Sequence, residues 1–286
     1  MKKTALVMAL AIGVTAAFAQ DLTSSKGEKY LPEANDWAIG FDAMPVVNMF
    51  GHLVSNSGNN TTMISPMGAQ TIVGKMFMDD KTAIRAMLGI NFGSTTNNVL
   101  VHDATSTSPT AMVTDADKHS TSAITLGGGI EKRRGNTRLQ GYYGAMLMLG
   151  FGNAGSDTYT YGNSLSATNT TPTNSFGQNT ANPGAGVLTN KAGGLFALGL
   201  DAFIGAEYFI VPKISIGAEY WWGIGFSSVG QGSMTSESWT TSLQSASVNT
   251  GGHSSFNVGN SVGNPQAGAA GTPLAGVGNI MINFHF

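Results

Sequence analysis

The chain has 286 residues, 39 of them glycine and none cysteine, and a formal net charge of −2 from 14 basic and 16 acidic side chains. Without cysteine it has no disulfide framework, no thiolate metal site and no thiol nucleophile. Near-neutral charge, with no basic stripe, excludes an electrostatic nucleic-acid surface.

The N-terminus carries a basic Met1-Lys2-Lys3, an apolar run from Ala5 to Phe18 and an Ala17-Phe18-Ala19 cleavage pattern. Residues 1–19 therefore read as a secretory signal peptide, and the mature chain starts at Gln20. The apolar run is shorter than the ~20 residues a spanning helix needs, which argues against a retained anchor. Residues 20–36 are polar and read as a periplasmic lead-in. From Trp37 the sequence alternates: Trp37, Ile39, Phe41 and Ala43 on one side, Gly40 and Asp42 on the other. Pro45 ends this run because proline cannot donate to a ladder. Val46 to Leu53 reads as a short apolar helical turn.

Strands are expected next at Gln70 to Met78 and Thr82 to Gly93, joined by a tight turn at Asp79-Asp80-Lys81. Ser94 to Ser122 reads as a polar loop. Ala123 to Glu131 and Thr137 to Gly152 alternate again across a basic turn, Lys132 to Asn136. Asn153 to Lys191 reads as a second long loop. Leu195 to Phe226 holds the two clearest runs, joined at Val211-Pro212-Lys213. Ser228 to Pro273 reads as a last long loop and Leu274 to Phe286 as a closing strand. Period-2 alternation over this many residues marks half-buried strands.

Alternation alone fits a soluble sandwich and a membrane barrel equally well. The connections separate them, since long and tight segments alternate strictly along the chain. Long loops on one side and tight turns on the other are the pattern of a transmembrane β-barrel. In a compact soluble domain, unstructured loops of this size would count against the assignment. The expected fold is an all-β, eight-stranded antiparallel transmembrane barrel over residues 37–286, with aromatic girdles near the strand ends. Ile280, Ile282, Phe284 and Phe286 share one register at the C-terminus and resemble the signal by which the outer-membrane assembly machinery recognises its substrates.

In strand number and connection pattern the chain resembles the eight-stranded, OmpA-like outer-membrane β-barrel proteins of Gram-negative bacteria. The resemblance rests on architecture. It implies location in the cell outer membrane, contact with outer-membrane lipid and with the barrel assembly machinery, and a narrow lumen, but no single activity.

The register expected to face that lumen holds Asp42, Lys75, Arg85, Glu131, Arg138, Asp201, Glu207 and Glu219. Eight strands leave an interior just wide enough for side chains to fill, so these charges should pair across it, either as a structural plug or as a gated ion path. His52, His102, His119, His253 and His285 read as solvated loop or terminal residues. No Gly-x-Ser-x-Gly elbow, oriented nucleophile or metal-ligand spacing is visible, so no catalytic, cofactor or metal site is assigned. The expected function is a structural or interaction scaffold that displays surface loops to a protein or glycan, alone or as an accessory subunit of a larger complex. A narrow pore is the alternative, and a membrane-embedded enzyme is less favoured.

Overall fold

The computed structural model describes residues 22–43, 70–173, 175–176, 184–259 and 277–286. The expected signal peptide at 1–19 and the expected apolar turn at 46–53 lie outside this range. The described residues form twelve strands and no helix. In chain order these are β1 (Trp37–Asp42), β2 (Gln70–Asp79), β3 (Thr82–His102), β4 (Met112–Arg134), β5 (Leu139–Thr160) and β6 (Gly186–Lys191). They continue as β7 (Gly194–Val211), β8 (Ile214–Val229), β9 (Gly232–Trp239), β10 (Leu243–Thr250), β11 (His253–Gly259) and β12 (Val277–His285).

All the pairings are antiparallel. Eight strands close a ring in the order β1, β2, β3, β4, β5, β7, β8, β12 and back to β1. Such a closed circuit, compatible with a barrel, leaves no free edge along its paired length. The remaining strands lie away from the tight turns. Beyond the ring, β5 pairs with β6, β6 with β9 and β9 with β10, extending the far ends of β3, β4 and β5 into a six-stranded outer sheet. On β8, pairing with β12 reaches Val277↔Trp221, and pairing with β11 takes over at Gly259↔Gly223.

The strand count therefore corrects the expected eight to twelve. The stretches at 94–122, 153–191 and 228–273 are not simple loops. The β3–β4 ladder runs without interruption from Thr82↔Lys132 to His102↔Met112, and β5 continues to Thr160. Hydrophobic periodicity misses these segments because burial along them does not alternate regularly with apolar side chains. In β10 every residue but Thr250 is exposed, so no side-chain period exists to be read and the backbone ladder alone defines the strand.

Within the ring, polarity is inverted relative to a water-soluble protein. Trp37, Ile84, Leu147, Ile204, Tyr220 and Trp222 are exposed on the outer face, while Lys75, Arg85, Glu131 and Glu207 are buried inside. Phe284 and Phe286 are also exposed, and Phe41 meets Phe284 edge-on at 6.3 Å across the β1–β12 seam. At the turn end, residues 22–36 are held to the ring by Asn35 N–H to Phe77 C=O (2.7 Å) and Phe77 N–H to Asp36 C=O (2.9 Å). Tyr30 is buried there with the Arg138 guanidinium 3.6 Å from its ring centre.

Candidate functional site

Four neighbouring strand pairs aim their inward positions at one level of the ring. The register sets Lys75 opposite Arg85, and Glu131 follows on β4. Gln140 stands opposite Glu207, and Gly205 opposite Glu219. Arg85 donates from Nη1 to Glu131 (3.2 Å) and from Nη2 to both oxygens of Glu219 (3.0 and 3.2 Å). Arg133 bridges the other two carboxylates, Nη1 to Glu131 at 2.8 Å and Nη2 to Glu207 at 2.5 Å. Lys75 Nζ lies 3.2 Å from Glu131 and 3.9 Å from Glu207. Among the described residues it has no partner in hydrogen-bond geometry, so it acts as a point charge between them.

Neutral groups complete the coordination. Tyr142 Oη and Trp221 Nε1 donate to Glu219 at 3.0 and 2.9 Å. Asn283 Nδ2 donates to Glu207 at 2.6 Å, as does the Ser215 hydroxyl, and His285 Nε2 stands 3.4 Å from the same oxygen. Three cations thus face three carboxylates, all essentially inaccessible to solvent. A buried charge survives only when paired and hydrogen-bonded, and each carboxylate here has at least three donors or cations around it.

Aromatic rings bound the cluster on both sides. Toward the turns, His285 lies 5.0 Å from Phe209 and 5.8 Å from Phe77. Toward the outer sheet, Phe203 packs on Trp221 at 4.9 Å, and the Arg85 guanidinium sits 4.3 Å from the Phe203 ring centre. Met146 and Met148 are buried with Phe203 and Tyr142 beyond them. The level is filled by side chains, as expected for so narrow a ring.

Of the eight residues expected to face inward, Lys75, Arg85, Glu131, Glu207 and Glu219 meet in this cluster. Asp201 is buried on the outer side of the aromatic layer. For Asp42 only the backbone is described, paired with Met281. Arg138 is half-buried against Tyr30 at the turn end, and Arg133 supplies the third cation of the cluster. The sequence places Arg133 in a turn, but β4 runs three residues past Glu131, to Arg134, and the same alternation that turns Glu131 inward turns Arg133 inward too. His285 is likewise corrected from a solvated terminal residue to a buried one. Its signal was its place between the outward Phe284 and Phe286.

The outer sheet carries a different set of contacts. His119 Nδ1 lies 2.5 Å from Asp157 Oδ1 across the β4–β5 ladder, beside a bulge between Ser120 and Ser122. The bulge holds Gly155 at φ +145° with the His119 ring against it, so a side chain there would be strained and would crowd the ring. Nearby burial pushes the Asp117 carboxyl above its ordinary range, with neighbouring Asp157 adding to the rise and His119 opposing it. Asp115 accepts from Gly162 N–H (2.9 Å) and Ser175 Oγ (2.6 Å), and Asn163 bridges Ala104 N–H and His102 C=O at 2.8 Å each. At the tip, Asp103 is held below its usual carboxylate range by the Thr105 hydroxyl and then the Thr105 amide. His102 Nε2 lies 3.2 Å from Ser108 C=O, and His253 is exposed at the start of β11. His52 lies outside the described residues. Among the described residues no three His, Asp or Glu side chains gather in a metal-holding arrangement.

Fold and site together define an all-β protein built on a hydrogen-bonded ring with an apolar exterior and an ion-paired interior. No protein-family model and no curated protein matches the chain.

Proposed function

We propose that this chain is an outer-membrane β-barrel whose ring crosses the bilayer and whose plugged interior makes it a scaffold presenting the outer sheet. The observation that carries this reading is the buried, charge-balanced cluster of Lys75, Arg85, Arg133, Glu131, Glu207 and Glu219, which fills the ring at one level. The apolar exterior supports the membrane setting, because only lipid makes an outward Ile204 or Leu147 and an inward Arg85 favourable together. A closed ladder satisfies every backbone group at that depth, as a spanning structure requires. Both chain termini then lie on the periplasmic side with the tight turns, and β3, β4 and β5 continue outward past the ~9–11 residues needed to cross.

The outer sheet, with β10 uncharged and exposed, is the surface offered to a protein or a glycan partner. Single-channel recording of the refolded chain from Gln20 to Phe286 in planar bilayers, beside Glu219→Ala, tests the reading. The native chain should be electrically silent, with sporadic conductance only in the variant, where Arg85 loses its bidentate partner. Steady openings of the native chain would replace the scaffold with a narrow pore.

A further inference from the structure

We infer that Asp201 is the anionic contact of a binding site for a small ammonium-type cation in the outer half of the ring. Asp201 is 4 % exposed, yet among the described residues it has no ion pair or hydrogen bond. The cationic groups of the cluster are committed elsewhere: Arg85 to Glu131 and Glu219, Arg133 to Glu131 and Glu207, Lys75 to Glu131. Along β7 and β8, Phe203 and Trp221 stand between Asp201 and those charges. A carboxyl group in so buried a place is neutralised either by a proton or by a cation, and a cation that enters takes the proton's place.

Small residues surround Asp201. The carboxylate lies over Gly223, where a Cβ would fall 1.9 Å from Asp201 Oδ1. Many inward positions further out are small, Ala123 and Thr125 on β4, Gly150 on β5, Ala197 and Gly199 on β7, and Gly225 on β8, beside the larger Asn91, Met148 and Leu195. Eight strands leave an interior that full-sized side chains just fill, so residues this small leave a chamber. The floor is apolar and aromatic, from Met146 and Met148 to Phe203 and Trp221.

The donor set selects the ligand. Calcium and magnesium require six or more oxygens, and one carboxylate with Thr125 does not supply them. A soft metal would need the thioethers, but the ends of Met146 and Met148 gather over Gly127 on β4, whereas Asp201 leans toward β8. A single carboxylate above aromatic rings suits an ammonium group, by ion pairing and by attraction to the ring faces. The site is independent of whether the ring conducts.

Methionine-methyl NMR tests the proposal in the full mature chain in detergent micelles, titrated with ethylammonium chloride, with sodium chloride at equal ionic strength as the comparison. Met146, directly opposite Asp201, and Met148 are the reporters, and Met281, buried and opposite Gly217 nearer the turns, reports that the fold is intact. Saturable shifts of Met146 and Met148 with ethylammonium, weakened by about tenfold or more in Asp201→Asn and in Asp201→Ser while Met281 keeps its position, are expected from losing a charged contact. No saturable shift, an unchanged midpoint in both variants, or an equal response to sodium would overturn it.

Discussion

The ring interior and the outer sheet are built from the same antiparallel ladder, and several strands belong to both. Their side chains follow opposite rules. Inside the ring, a few residues with large desolvation costs are locked by mutual contacts, so each depends on the others. In the outer sheet the backbone ladder does most of the holding, and side chains such as Asn163 and Asp115 tie loops to strands one contact at a time. Stability in the first region is concentrated and cooperative; in the second it is distributed.

The sharpest way to break that contrast is Glu207→Ala. It strands Arg133 and Lys75 without water or a full set of partners. A loss of roughly 3–5 kcal/mol is expected from urea unfolding in micelles, the scale for removing one member of a buried ion pair. Replacing Glu219 and Arg85 together by apolar residues of similar volume should cost less than Glu219→Ala alone, because no orphan charge remains. A double change that costs the sum of its single changes would show that the cluster members act independently.

Next in size is Phe203→Ala, expected to cost about 3 kcal/mol through the cavity left between Trp221, Tyr142 and Met146. In the outer sheet, Asn163→Ala should cost about 1–2 kcal/mol, for two hydrogen bonds lost near the β3–β4 tip, and should speed amide exchange there while leaving β7 unchanged.

The smallest effect expected is that of Asp117→Asn. The folded Asp117 carboxyl titrates above its unfolded value, so its contribution is favourable below about pH 4 and is lost as pH rises through the folded value. At neutral pH the amide should therefore slow exchange in the outer part of β4, by no more than about fivefold, given how screened the site is. Asp103 has the opposite sign: its stabilisation is present above the unfolded value and fades as acid brings it through the lowered folded value. Protection at the tip, taken relative to the intrinsic exchange rate at each pH, should fall on acidification in the native chain and not in Asp103→Asn.

What could be read from the sequence follows the same division. Trp37, Ile84, Leu198 and Tyr220 alternate with Ala38, Arg85, Gly199 and Glu219, and a one-sided environment writes that period directly into the chain. Lys75, Arg85, Glu131, Glu207 and Glu219 were legible as inward residues for this reason. Which of them would touch was not, because contact depends on ladder register between strands far apart in sequence. Arg133 was lost to an early strand ending, and the neutral partners Ser215, Asn283 and His285 carry no signature apart from their parity. The outer strands were illegible because Leu243 to Thr250 meets solvent on both faces and leaves nothing to alternate.

The seam between β1 and β12 has a consequence for assembly. Five register pairs join the two strands, from Ala38↔His285 to Asp42↔Met281, with backbone bonds between Trp37 and Phe286 and from Ala43 to Ile280 just beyond them, and all connect positions near opposite ends of the chain. Every other ladder of the ring joins strands closer in sequence, and the hairpins among them can form locally. The seam must bear the largest loop-closure entropy for one of the shortest zippers in the molecule. Closing the circle is thus expected to be its last and slowest act, and β1, a stave of six residues, the place where it would first come apart.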